Sequence, residues 1–142
     1  MENIRLVYTL NVENYINLCL SVGWPKPDEK QSYKSLQNSD YLVSAIDEGS
    51  GKVVGMARCV GDGAMAEMII DVVVCPEYQN MGIGTCMINN LIVRIKNQVQ
   101  PGQKAMITLV AALGKEKFYE KFGFISHPNE SYGSGMYLWH MK

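Results

Sequence analysis

Apolar residues at Val12, Tyr15, Ile16, Cys19 and Leu20 follow the i, i+3, i+4, i+7, i+8 spacing of one helix face. They follow a β-rich run, "IRLVYTL" (Ile4 to Leu10), and end before Gly23, so the pattern predicts a strand and then an amphipathic helix with Asn11 as its N-cap. Two prolines make "WPKPDE" a loop, and Lys30 to Ser39 reads as a weaker helix or an irregular segment. "DYLVSAID" and "KVVGMARCV" are β-rich runs joined by "EGSG", and "GDGA" leads to a third run, Met65 to Cys75. These three form a meander. The third contains "IIDVVV", an unbroken apolar stretch but for one acid, as expected of a central strand covered on both faces.

Ile83, Met87, Ile88, Leu91, Ile92, Ile95 and Val99 then line one face of a helix whose other face carries Asn89, Asn90, Arg94 and Asn97. "QPGQ" ends it, and "KAMITLVAAL" (Lys104 to Leu113) is a second buried-strand pattern. A helix between two such strands predicts a right-handed crossover and a parallel pair. "KEKFYEKFGF" is a short helix stopped by Gly123, and "GMYLWHM" is a last strand. With no repeat, low-complexity tract or linker, the expectation is one α/β domain over residues 1–142 with a mixed sheet.

Composition narrows the chemistry. A net charge of −1 lacks the basic footprint of nucleic-acid or membrane-surface binding, so the expected ligand is small and held locally. The four cysteines, Cys19, Cys59, Cys75 and Cys86, form no CxxC pair, which disfavours zinc and a disulfide framework and suits a reduced, cytoplasmic protein. No apolar run approaches the roughly 18 residues of a membrane span, and the N-terminus is too polar for a signal peptide.

The turn "QNMGIG" (Gln79 to Gly84) passes from a buried strand to a helix N-terminus, where unsatisfied N–H groups and the helix dipole suit an anion. Gly82 and Gly84 let a ligand approach the backbone. A Walker loop is excluded because Gly84 is followed by Thr85 and Cys86, and a dinucleotide fingerprint because Met87 stands where its third glycine belongs. On its own the pair of glycines equally fits a tight turn and close helix packing.

The run from Asp71 to Ile88 resembles the acetyl-CoA motif of the GCN5-related N-acetyltransferase (GNAT) superfamily, Gln/Arg-x-x-Gly-x-Gly/Ala after a "V-x-P-x-Y/F" strand exit, here Val74 to Gln79. "FYEKFGF" at Phe118 to Phe124 matches a second family element at the expected distance. The resemblance implies the family's fold: a mostly antiparallel, twisted mixed sheet of six to seven strands, a splayed central parallel pair, and about four flanking helices. It implies an enzyme taking acetyl-CoA as co-substrate, with the pantetheine arm along Val72, Val73 and Val74. The pyrophosphate would lie on the backbone of Asn80, Met81, Gly82, Ile83, Gly84 and Thr85, with Gln79 starting the turn. Family members often form homodimers.

In catalysis the resemblance makes Tyr119 the acid that protonates the departing thiolate, and Val73 N–H the donor to the thioester carbonyl. Relatives carry a His or Glu at positions matching Met68 and Ile70, neither of which takes a proton. Asp71 either holds a water that receives the amine proton or is a structural carboxylate. Glu67, two pleats away and expected on the same face, is a weaker candidate. His127 and His140 give no metal site, and Cys75 reads as a small buried hydrophobe. "VGWPKP" with Trp24 and "YGSGMYLW" with Trp139 suit either ordinary packing or the wall of a pocket for a small amine. The pattern is similar to the arylalkylamine N-acetyltransferase-like subgroup, which implies a primary amine such as an arylalkylamine or polyamine. The alternatives are a protein lysine or N-terminal acetyltransferase, or a non-catalytic acyl-CoA sensor.

Overall fold

The computed structural model describes residues 3–142, which divide into two compact units, one ending at Leu109 and the other running from Val110 to Lys142. In the first, β1 (Ile4–Val7) leads to α1 (Val12–Ser21) and α2 (Glu29–Gln37). There follow β2 (Tyr41–Asp47), β3 (Lys52–Gly61), β4 (Ala66–Val74), a 3-10 turn (Pro76–Tyr78), α3 (Ile83–Gln98) and β5 (Met106–Leu109). The sheet order is β1-β2-β3-β4-β5, antiparallel except for the parallel β4–β5 pair. This is the expected mixed sheet with its meander and crossover helix.

Each face of the sheet is covered for reasons visible in the chain. Tyr15, Ile16, Leu18 and Cys19 of α1 and Leu36 of α2 pack against Met56, Val73 and Cys75. The apolar stripe of α1 is turned slightly from the expected one: Leu18 is buried and Leu20 exposed. On the opposite face α3 buries Ile83, Met87, Ile88, Leu91, Ile92 and Ile95. A Cβ placed on Gly55 would come within 3.1 Å of Met87 Cε, so glycine there lets α3 lie close to β3. Six buried apolar side chains at roughly 1.5–3 kcal/mol each fix where the N-terminus of α3 stands.

β4 carries the irregularity that matters most. Met56 pairs with Val73 and Arg58 with Ile70, so Asp71 and Val72 together stand opposite Ala57 in a β-bulge. Asp71 has φ 52, in the left-handed region. The extra residue inverts the alternation: Ile69 is buried on the α3 face and Val73 on the α1–α2 face. The parallel ladder ends at Ile69↔Leu109, just before the bulge.

The second unit contains α4 (Glu116–Glu120), which ends at its C-cap Lys121; Gly123, the expected stop, follows in the next turn at φ 99, its N–H donating to Glu120 O at 2.9 Å. Two strand expectations need correction. The run from Lys104 forms a strand only from Met106 to Leu109, and "GMYLWHM" has no regular structure, with Met136, Leu138 and Trp139 exposed. Among the described residues the sheet therefore has five strands, not six to seven. A strand requires a hydrogen-bonded neighbour, which an apolar run cannot supply by itself.

Candidate active site

β4 delivers the chain through the 3-10 turn to Gln79, whose side-chain amide donates to the Val74 carbonyl at 2.9 Å and ties the loop to the strand end. Asn80 (φ 63) and Gly82 (φ 84) take left-handed conformations, the second as N-cap of α3. The three helices of this unit differ at their starts. Asn11 caps α1 by accepting from Asn14 N–H at 2.8 Å, and Asp28 caps α2 by accepting from Gln31 N–H at 2.9 Å. Gly82 gives α3, the longest at 16 residues, no side-chain cap, and its first turn holds no acid. The positive end of α3 is therefore left for another acceptor.

The neighbouring strand edge has matching chemistry. Cys75 N–H donates to Val54 O of β3 at 2.8 Å, so by alternation the backbone of Val73 also faces β3. Val72 and Val74 face the other edge, beyond the point where the ladder with β5 ends. Val73 N–H, the expected donor to a thioester carbonyl, is therefore directed toward β3, and Val72 and Val74 are the residues whose backbone faces the open edge. Residues 72–85 thus present strand-edge amides suited to a pantetheine arm and helix N–H groups suited to a pyrophosphate, in one unit. These groups fit acetyl-CoA.

The two acids of β4 part company. Asp71 Oδ2 accepts from Arg58 Nε at 2.7 Å and from the Tyr15 hydroxyl at 2.9 Å. Burial, and then the Asp71 carboxylate, push Tyr15 ionisation well above its ordinary value of 10.0. Glu67 does not share this face: it pairs with Gly61 on the far side of the bulge, only 3% exposed. Its two carboxylate oxygens find no hydrogen-bond partner of ordinary geometry. Burial, reinforced by nearby Asp40, pushes its ionisation up from 4.5 to about 7.

That shift has a sign. Between 4.5 and about 7 the folded chain keeps a proton on Glu67 that the unfolded chain has released, so the contribution of this group to stability falls as pH rises through that window. The loss amounts to about 3 kcal/mol at full ionisation. Urea unfolding at pH 5 and pH 8 should therefore give a lower midpoint at pH 8, and Glu67→Gln should remove most of the difference. An equal difference in both proteins would exclude Glu67 as its source.

In the second unit Tyr119 is 9% exposed, its ring edge-to-face with Phe118 at 5.0 Å and Phe124 at 6.1 Å. Burial raises its ionisation above 10.0, so the hydroxyl remains a proton donor. His127 stacks on Tyr132 at 5.1 Å, and Cys75 is buried. Trp24 and Trp139 are both exposed. Among the described residues no group of three ligating side chains could hold a metal, and no helix is long and apolar enough to cross a membrane. Arg58 escaped the sequence reading, and Tyr15 entered it only as part of the apolar stripe of the first helix. The signal for Arg58 was present, as a lone cation inside the apolar run "GMARCV".

The family model of the acetyltransferase (GNAT) domain matches residues 37–126. An uncharacterized N-acetyltransferase, ycf52, of Pyropia yezoensis is 35% identical over 122 residues, covering 84% of this chain and 68% of the relative. Histone acetyltransferase TAP1 of Glycine max is 36% identical, covering 78% of this chain and 50% of its own. Serotonin N-acetyltransferase 2, chloroplastic, of Oryza sativa is 28% identical, covering 82% and 57%. A crystal structure of a probable acetyltransferase from Staphylococcus aureus superposes with a TM-score of 0.83 at 28% identity, covering 96% of this chain and 99% of the other. Five strands with one parallel pair and an open glycine turn before α3 agree with these likenesses, and the chain belongs to the GCN5-related N-acetyltransferase (GNAT) family, as an acetyl-CoA-dependent acetyltransferase.

Proposed function

We propose that this enzyme transfers the acetyl group of acetyl-CoA directly to the primary amine of a small molecule, within one catalytic domain over residues 1–142. The observation that carries the cofactor half is the uncapped N-terminus of α3, with left-handed Gly82 beside the open edge of β4. Backbone groups of Asn80 to Thr85, with Gln79 at the start of the turn, would hold the pyrophosphate. The edge formed by Val72 and Val74, with Val73 between them, would take the pantetheine arm. Bound there, acetyl-CoA supplies the activated acetyl group. An amide of that edge would donate to the carbonyl oxygen as the amine nitrogen bonds to the carbonyl carbon and the carbon–sulfur bond breaks. Tyr119 would protonate the departing sulfur, and the proton released by the amine nitrogen would pass to water, from which Tyr119 regains its own.

The acceptor side rests on charge. Of the acids in β4, Glu67 is buried and Asp71 is paired with Arg58, so this strand offers no free carboxylate for a second cation. That favours a mono-cationic arylalkylamine over a polyamine or a lysine-rich peptide. The pairing also favours the structural reading of Asp71 over that of a base, the substrate then reacting as its neutral amine. The rice relative named for serotonin supports this class, and the soybean relative named for histone supports the protein-lysine alternative. Four free cysteines suit a reducing compartment such as the cytoplasm.

Incubation with acetyl-CoA and a panel of arylalkylamines, polyamines, amino acids, aminoglycosides and a histone-tail peptide, read by mass spectrometry, tests this. Acetylated arylalkylamine as the fastest product is expected. Faster acetylation of the peptide would overturn the small-molecule assignment, and no product from any acceptor would favour a non-catalytic acyl-CoA sensor.

A further inference from the structure

Asp71 is one of two non-glycine residues in the described chain with positive φ, and it sits where β4 gains its extra residue. A left-handed conformation is unfavourable for an L side chain, so something must hold it. The holding contacts come from both sides. Arg58, in the strand opposite, donates Nε–H to Asp71 Oδ2 at 2.7 Å, while its Nη1 donates to Ser39 Oγ at 3.2 Å and Ser35 O at 3.4 Å at the end of α2. Tyr15 of α1 donates to the same Asp71 oxygen at 2.9 Å. The pair is little exposed, with side-chain accessibilities of 10% for Arg58 and 19% for Asp71, so solvent competes weakly for these bonds.

The bulge decides which amides β4 offers to its open edge. Continued without it from Arg58↔Ile70, the ladder would set Met56 against Val72, and every residue beyond would exchange its two edges. Val73 would then face outward and Val72 and Val74 would face β3. We propose that Arg58 and Tyr15 are positioning residues for acetyl transfer: by clamping the Asp71 carboxylate they hold the bulge that turns Val72 and Val74 toward acetyl-CoA. Neither touches the reacting atoms. The inference rests on the reading that the pantetheine arm lies along that edge.

Calorimetric titration with two probes separates the outcomes. Acetyl-CoA needs both the α3 turn and the β4 edge, whereas ADP carries a pyrophosphate and no pantetheine arm. Arg58→Gln should weaken acetyl-CoA about tenfold, the size of one left-handed backbone penalty, and leave ADP unchanged. Tyr15→Phe, which keeps the ring and its packing, should weaken acetyl-CoA about threefold, one modest hydrogen bond, again sparing ADP. Glycine adopts positive φ freely, so Arg58→Gln combined with Asp71→Gly leaves no unpaired buried charge and should regain most of the lost affinity. A network that merely supports the fold predicts the opposite, a double variant no better than Arg58→Gln. Equal loss of ADP and acetyl-CoA, or no loss of either, overturns the positioning role. Failure of the unmodified protein to bind acetyl-CoA at all would instead remove the groove reading beneath it.

Discussion

Gly82→Trp should raise the dissociation constant for acetyl-CoA by about 100-fold or more while the protein remains folded. The size follows from what the residue does. Gly82 stands at φ 84 as N-cap of α3, and an indole there would occupy the space through which an anion approaches the first-turn N–H groups. Loss of two charge-assisted hydrogen bonds, at roughly 1.5–3 kcal/mol each, already accounts for a factor of that order. A side chain at positive φ adds backbone strain of about 1–2 kcal/mol, which Gly82→Ala isolates because it introduces the strain without the bulk. The alanine variant should bind acetyl-CoA with intermediate affinity. Titration of both variants, with circular dichroism to confirm folding, is the check, and wild-type affinity in Gly82→Trp would remove the anion site from this loop.

Tyr119→Phe should behave in the opposite way, binding acetyl-CoA as tightly as wild type but turning over about 100-fold more slowly, at the lower end of what a positioned acid contributes. The ring remains to pack against Phe118 and Phe124, so the substitution removes the proton and little else. Burial raises the ionisation of Tyr119 above its ordinary value of 10.0, so its loss of a proton should depress the wild-type rate only at a higher pH than an exposed tyrosine would. Steady-state kinetics with the best acceptor from the amine panel, alongside calorimetry with acetyl-CoA, separates kcat from binding. Unchanged kcat in a variant that binds normally would transfer the acid role elsewhere.

Much of this was legible before any coordinates. The six buried positions of α3 lie on the stripe read from the sequence, and Asn11 caps α1 as its side-chain chemistry predicted. Such features are local, set by periodicity or by a residue and the three that follow. Partnerships across the sheet were not legible. The β4 bulge places Glu67 and Asp71 on opposite faces, and a bulge depends on how two strands register, which neither strand records alone. Arg58 escaped the sequence reading because its partner lies 13 residues away along the chain, a separation that the run around it does not record. The terminal "GMYLWHM" is rich in the apolar and aromatic residues that strands favour, yet pairing with a neighbour rather than composition decides whether a strand forms.

The bare start of α3 also links ligand concentration to the stability of the fold. A side-chain cap contributes about 0.5–2 kcal/mol to a helix, and α3 forgoes it where α1 and α2 do not. The start of α3 is where acetyl-CoA is proposed to bind, so the ligand would serve in place of the side-chain cap, present only in the folded state. By mass action, acetyl-CoA at 100 times its dissociation constant would add about 2.7 kcal/mol of stability. The abundance of the folded enzyme would then rise and fall with the acetyl-CoA supply of the cell, making the start of α3 a point where metabolic state enters the folding equilibrium.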